Sequence, residues 1–99
     1  MSSPLNFLGL TARAGCVISG EEVVLRAMQQ HRVHLVLLAE DASPNTKKKM
    51  GDKCSTYNVP LCESAPRTEL GRAIGKEQRV TLGITDAGFA AKLKQLHEQ

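Results

Sequence analysis

The sequence predicts an α/β protein: a single-domain, three-layer α/β/α sandwich around a central mixed sheet of about four strands. Two observations carry that reading. Helical and strand patterns alternate almost throughout the 99 residues, with no internal repeat, linker or low-complexity tract. The run "HLVLLAE", residues 34–40, is continuously apolar rather than alternating, as in a strand covered on both faces. At 99 residues and 41% hydrophobic content, the chain forms one domain, residues 1–99, with a real core.

Ser3-Pro4 opens the first helix, with a capping hydroxyl followed by Pro at the first helical position. Leu5, Leu8 and Ala12 share its inner face, and Gly15 supplies a stop. "CVIS" is a short strand. Ser19 and Glu22 then have the spacing of a capping box, and Val23, Val24, Ala27 and Met28 follow at helical spacing. After the apolar strand, Ser43-Pro44 opens a helix whose inner stripe is Met50, Cys54 and Tyr57, with Lys47, Lys48 and Lys49 near its start. "VPLCE" reads as a strand, "APRTELGRAIG" as a short helix ending at Gly75, and "RVTLGIT" as the last strand. Asp86 caps a final helix that turns Phe89, Leu93 and Leu96 inward.

Composition excludes several function classes. With no Trp and only Phe7, Tyr57 and Phe89 as aromatics, the core is aliphatic. The same shortage argues against sheets that stack RNA bases on several aromatic side chains. A net charge of +3 permits an anionic partner without requiring one. Cys16, Cys54 and Cys62 are odd in number and too far apart for a paired zinc motif, which points to reduced thiols in a cytoplasmic protein. "MSSPLNFLGL" has no basic region leading into a long apolar run, and no segment approaches membrane-spanning length.

Nothing in the motifs indicates catalysis. His31 and His34 straddle a helix-to-strand turn with no third ligand nearby, so they read as solvated turn residues rather than a metal site. Gly9, Gly15 and Gly20 do not form a dinucleotide fingerprint, and no nucleophile motif is present. The triple lysine is either a solvated face or a polyanion contact; cations at a helix start oppose the macrodipole, and a polyanion would offset that. Arg67, Arg72, Lys76 and Arg79 around the "GKEQR" loop are open to the same two readings.

"SGEEVVLR" is the most informative stretch. Glu21 and Glu22 complement a helix dipole, which explains both without invoking a ligand. A helix start beside glycine can also present backbone N–H groups to phosphate, and Arg26 one turn on could read guanine O6 and N7. Glu22 and Arg26 are four apart and could simply form a surface ion pair.

The runs "LGLTARAGCVISGEEVVLRAM", "LVLLAEDASPNTKKKM", "YNVPL" and "ELGRAIGK", in that order, resemble the small ribosomal proteins of the archaeal L7Ae and eukaryotic L30e type, including the bacterial YlxQ-type branch. The resemblance runs from Leu5 to about Leu96. It implies an α/β/α sandwich that binds kink-turn RNA, a sharply bent duplex with tandem sheared G·A pairs, without catalysis or cofactor. In the family, the turn before the second helix enters the RNA groove, and the loop before the last strand covers unstacked nucleotides. By position, Gly20 matches the turn glycine and Arg26 the residue directed at guanine, while the loop contact falls on Gly75 to Arg79. Glu22 stands where archaeal members have Asn, and Val23 where they have Glu. One polar contact is therefore missing and another has changed sign, a difference worth about 1–3 kcal/mol for a base contact.

The expected RNA-contacting set is Gly20, Glu21, Glu22, Arg26, Lys47, Lys48, Gly75, Lys76 and Arg79, with no catalytic residue and no metal. The expected partners are structured RNA of ribosomal or kink-turn type and, beyond it, ribosomal proteins; the expected state is a cytoplasmic monomer with no membrane contact. The alternative is a ribosome-assembly or translation-linked protein-interaction module with a vestigial RNA face. A bulky residue at position 20 is expected to obstruct RNA more than it harms folding.

Overall fold

A computed structural model of the protein describes residues 3–99; residues 1 and 2, which belong to the single domain expected from the sequence, lie outside the described residues. Helix α1 (Pro4–Arg13) starts where Ser3 Oγ accepts the Asn6 N–H at 3.1 Å, with Pro4 in the first turn. Strand β1 (Val17–Ser19) and helix α2 (Glu21–Gln29) follow, then strand β2 (Leu35–Leu38). Helix α3 (Pro44–Tyr57) is capped by Ser43, strand β3 (Leu61–Glu63) follows, and helix α4 (Arg67–Ala73) precedes strand β4 (Thr81–Ile84). Helix α5 (Ala87–His97) closes the chain, its Asp86 carboxylate accepting the Phe89 N–H at 2.8 Å.

The four strands form one mixed sheet in the order β1-β4-β2-β3. β4 runs antiparallel to both β1 and β2, and β3 runs parallel to β2. The apolar run is therefore an interior strand, as expected, and all four of its residues are fully buried. Alternation along it feeds two cores. Leu35 and Leu37 join Leu82, Ile84 and the inner faces of α1, α4 and α5. Val36 and Leu38 point the other way, against Val24, Ala27 and Met28 of α2 and Met50 and Cys54 of α3. Each buried Leu, Ile, Val and Met side chain contributes on the order of 1.5–3 kcal/mol, so an aliphatic composition can hold both layers of helices to the sheet.

One helix face departs from the sequence reading. Val23 is 49% exposed, and the inner stripe of α2 is Val24, Ala27 and Met28. Position 83 explains how closely α2 is seated: a Cβ on Gly83 would stand 3.1 Å from Ile18 Cγ1 and 3.3 Å from Val24 Cγ2.

Strand directions decide what meets at each end of the sheet. β1, β2 and β3 all point the same way, opposite to β4. The starts of α2, α3 and α4 and the loop that enters β4 therefore gather at one end.

Candidate nucleic-acid interface

At this end the chain leaves β1 through Gly20, whose φ of 104° and ψ of 137° suit glycine alone. The Gly20 N–H still bonds to Thr81 O at 3.0 Å, and its carbonyl accepts the Val24 N–H at 2.9 Å, so helix α2 begins at once. No side chain caps it. The capping box expected between Ser19 and Glu22 does not form. Ser19 is the last residue of β1, and its hydroxyl accepts instead from Arg79 Nε at 3.3 Å. The cap position falls on Gly20, one residue after Ser19, and the Ser19 hydroxyl meets a partner sixty residues away instead.

The second wall is the loop between α4 and β4. Helix α4 closes at Gly75, with φ 76°, through the Gly75 N–H to Arg72 O at 3.1 Å and the Lys76 N–H to Gly71 O at 2.8 Å. The loop then folds back on Gly71, where an added Cβ would lie 1.6 Å from Glu77 O. Arg79 fixes its far side: its N–H bonds Arg67 O at 3.0 Å, and its guanidinium reaches Ser19 and, at 2.8 Å, Gln78 O. Gly20 and Arg79 are thus brought together, with Gly75 and Lys76 on the same loop and both exposed.

The acidic residues at the α2 start divide into two. Glu21 binds Lys49 Nζ at 2.8 Å, a tie from α2 to α3. That hydrogen bond and the Glu21 charge hold the Lys49 ammonium above the ordinary lysine range. Glu22 is exposed and shares a shallow cleft of about 250 Å³ with Arg26 and Lys49. No ion pair links Glu22 to Arg26 among the described residues, so the four-residue spacing produces no bridge. Arg26 is exposed and also borders a second cleft with Val23, Gln30 and Arg32.

The lysines of α3 separate. Lys47 turns to Glu63 on β3, at 3.2 Å. With the order β1-β4-β2-β3, that strand lies three spacings from β1, roughly 14 Å away. Lys48 is exposed and Lys49 reaches α2. Lys49 is the residue that sequence reasoning missed; a helix-start lysine facing another helix's glutamates has no local signature. Arg67 is occupied by Asp41, whose carboxylate lies 3.4 Å from Nε and also accepts the Arg67 N–H at 3.1 Å. Desolvation would raise the Asp41 pKa, but the Arg67 hydrogen bonds and charge together bring it below the usual carboxylate range.

Nothing at this end has the form of a metal or nucleophile site. No group of three or more His, Cys, Asp or Glu side chains comes together among the described residues. His31 occupies the left-handed position that ends α2, with φ 58°, and its neighbour His34 is exposed. Cys16, Cys54 and Cys62 are free thiols. Burial pushes the Cys54 thiol up to about 11, and burial followed by the Glu98 charge raises that of Cys62. No helix among the described residues is long and apolar enough to cross a membrane.

These features define a small α/β/α domain with one candidate site at this end: an uncapped helix entrance, a glycine-closed loop and basic side chains beside both. The chain belongs to the ribosomal protein L7Ae/L30e/S12e/Gadd45 family, whose model matches residues 5–94. It is similar to the RNA-binding protein YlxQ of Bacillus subtilis (strain 168), 53% identical over 89 residues, which cover 90% of this chain and 89% of that protein. The RNA-binding protein YlxQ of Enterococcus faecium is 45% identical over 94 residues, covering 95% and 90%. A solved structure of a protein with unknown function from Bacillus halodurans C is 46% identical, covers 100% of both chains and has a TM-score of 0.96. The fold is also that of a Giardia lamblia 15.5kD RNA binding protein, with a TM-score of 0.81 at 22% identity, over 95% of this chain and 83% of that one.

Proposed function

We propose that this protein binds structured RNA of the kink-turn type, without catalysis, as a ribosome-associated factor. The observation that carries this reading is the α2 entrance: Gly20 starts the helix with no side-chain cap, beside the loop that Arg79 ties to Ser19. A helix start without a cap leaves its first-turn N–H groups for an external acceptor, and phosphate oxygens suit them. Gly20, Glu21, Glu22, Arg26, Lys48, Gly75, Lys76 and Arg79 form the contact set. Within it, Glu21 acts through Lys49, which offsets the repulsion its carboxylate would exert on phosphate. Lys47 contributes only long-range charge, because it faces Glu63. Arg26 has the clearest line to a base edge, since it is exposed and unbridged between two clefts. The family match and the names of the two YlxQ relatives support the same reading.

The test is a salt titration of binding to a kink-turn duplex, with Arg26→Ala alongside. The expected result is affinity that falls steeply with salt, as phosphate contacts release counterions. Arg26→Ala should weaken specific binding by about 1–3 kcal/mol while the protein stays folded. Absence of binding even at low salt would overturn the proposal in favour of a protein-interaction module.

A further inference from the structure

A groove of about 260 Å³ separates the last turns of α1 and α4, lined by Gly9, Ala12, Arg13, Arg72, Ala73 and Gly75, among others. Two arginines and no acidic residue face it. Arg13 closes α1 and Arg72 lies in the last turn of α4. Both are exposed, and neither makes an ion pair or a side-chain hydrogen bond among the described residues. The small residues open the space: a Cβ on Gly9 would lie 3.2 Å from Ala73 O and 3.8 Å from Arg13 Nη1.

Arginine in a last helical turn ordinarily serves the exposed carbonyls there. Here several of those carbonyls are already bonded by the backbone. In α1, Thr11 O accepts the Cys16 N–H at 3.1 Å and Ala12 O the Gly15 N–H at 2.9 Å. In α4, Gly71 O and Arg72 O accept the N–H groups of Lys76 and Gly75. Two guanidinium groups, each a planar fork of five donors, are left uncommitted on one groove. A group with several anionic oxygens matches that donor set, and phosphate is the commonest such group.

We propose that this groove holds a phosphate, and specifically a backbone phosphate of the RNA bound at the α2 entrance. The inference rests on the RNA-binding reading, and Gly75 connects the two because it lines the groove and belongs to the proposed RNA loop. Arg13 and Arg72 would position the strand rather than read its sequence.

The experiment compares the wild type, Arg13→Gln/Arg72→Gln and a charge-matched control, Lys53→Gln/Lys92→Gln, on a kink-turn duplex over a range of salt. The arginine pair should weaken binding on the order of tenfold at ~0.1 M salt and lower the slope of log affinity against log salt by about 1.4–1.8. The control should do neither, each single arginine variant should give about half the slope change, and thermal melts check that all stay folded. If the wild type binds and the arginine variants match the control, the groove proposal fails while the RNA reading stands. A wild type that binds no RNA overturns both. An NMR titration of the RNA-free protein with millimolar inorganic phosphate separates the sources. Shifts at Gly9 and Gly75 as large as those the duplex produces would mark a free-phosphate site and overturn the RNA assignment; shifts seen only with RNA support it.

Discussion

Helices α2 and α3 start at the same end of the sheet, each just after a strand, yet their first turns are built in opposite ways. α3 is closed by its own sequence: Ser43 Oγ accepts the Thr46 N–H at 3.1 Å, and Pro44 has no N–H to satisfy. α2 is open: a glycine at φ 104° stands where a capping side chain would be, and Val23 is half exposed beside it. A serine cap is worth only about a few tenths of a kcal/mol over glycine, so α2 forgoes a little stability that α3 keeps. Local rules are broken where something other than folding sets the requirement, and α2 starts at the end proposed to meet RNA.

The largest effect should follow from removing the loop on which the open entrance leans. Gly71→Ala places a Cβ 1.6 Å from Glu77 O, so the loop carrying Lys76 and Arg79 must move. The expected cost is ~3 kcal/mol or more in denaturant unfolding, with RNA affinity lost in whatever remains folded. A variant as stable as the wild type would mean that the loop does not rest on α4.

Gly20→Ala comes next. Its backbone angles cost about 1–3 kcal/mol for any other residue, so the strain adds a folding penalty that the sequence reading did not include. Stability and RNA affinity should fall together. Ser43→Ala should separate them: about 1 kcal/mol of stability lost and RNA affinity unchanged. Equal losses of affinity in both variants would erase the distinction between the open and the closed helix.

That distinction also marks the limit of what the sequence disclosed. Caps at Ser3, Ser43 and Asp86 were legible because a hydroxyl or carboxylate three residues before its N–H partner is a local signal. The interior strand was legible because continuous burial needs a continuous apolar run. Ser19 carried the same local signal and it misled, since the Gly20 backbone and Arg79 decide where that hydroxyl points. Lys47 and Lys49 looked equivalent, but helical phase sends one to Glu63 and the other to Glu21. Partners sixteen and twenty-eight residues away are set by topology, which no short window contains.

The smallest predicted effect concerns the tie between the two helices. Lys49 joins α3 to α2 through Glu21 at 2.8 Å, and the hydrogen bond and charge of Glu21 raise its pKa above the ordinary 10.5. A lysine whose folded pKa is raised gives stability that is fully present below its unfolded pKa and lost as pH rises through the folded one. The wild type should therefore melt slightly above Lys49→Gln at neutral pH, and the gap should close only above about pH 10.5. Cys54, whose buried thiol titrates near 11, also destabilises the fold as pH rises from about 9, but it does so in both proteins and cancels from the difference. Added salt should narrow the neutral-pH gap, because the pair is exposed and screened. A gap that persists in alkali and in salt would show that Lys49 supports α2 through its aliphatic stem, and the open entrance would then be held by packing rather than by charge.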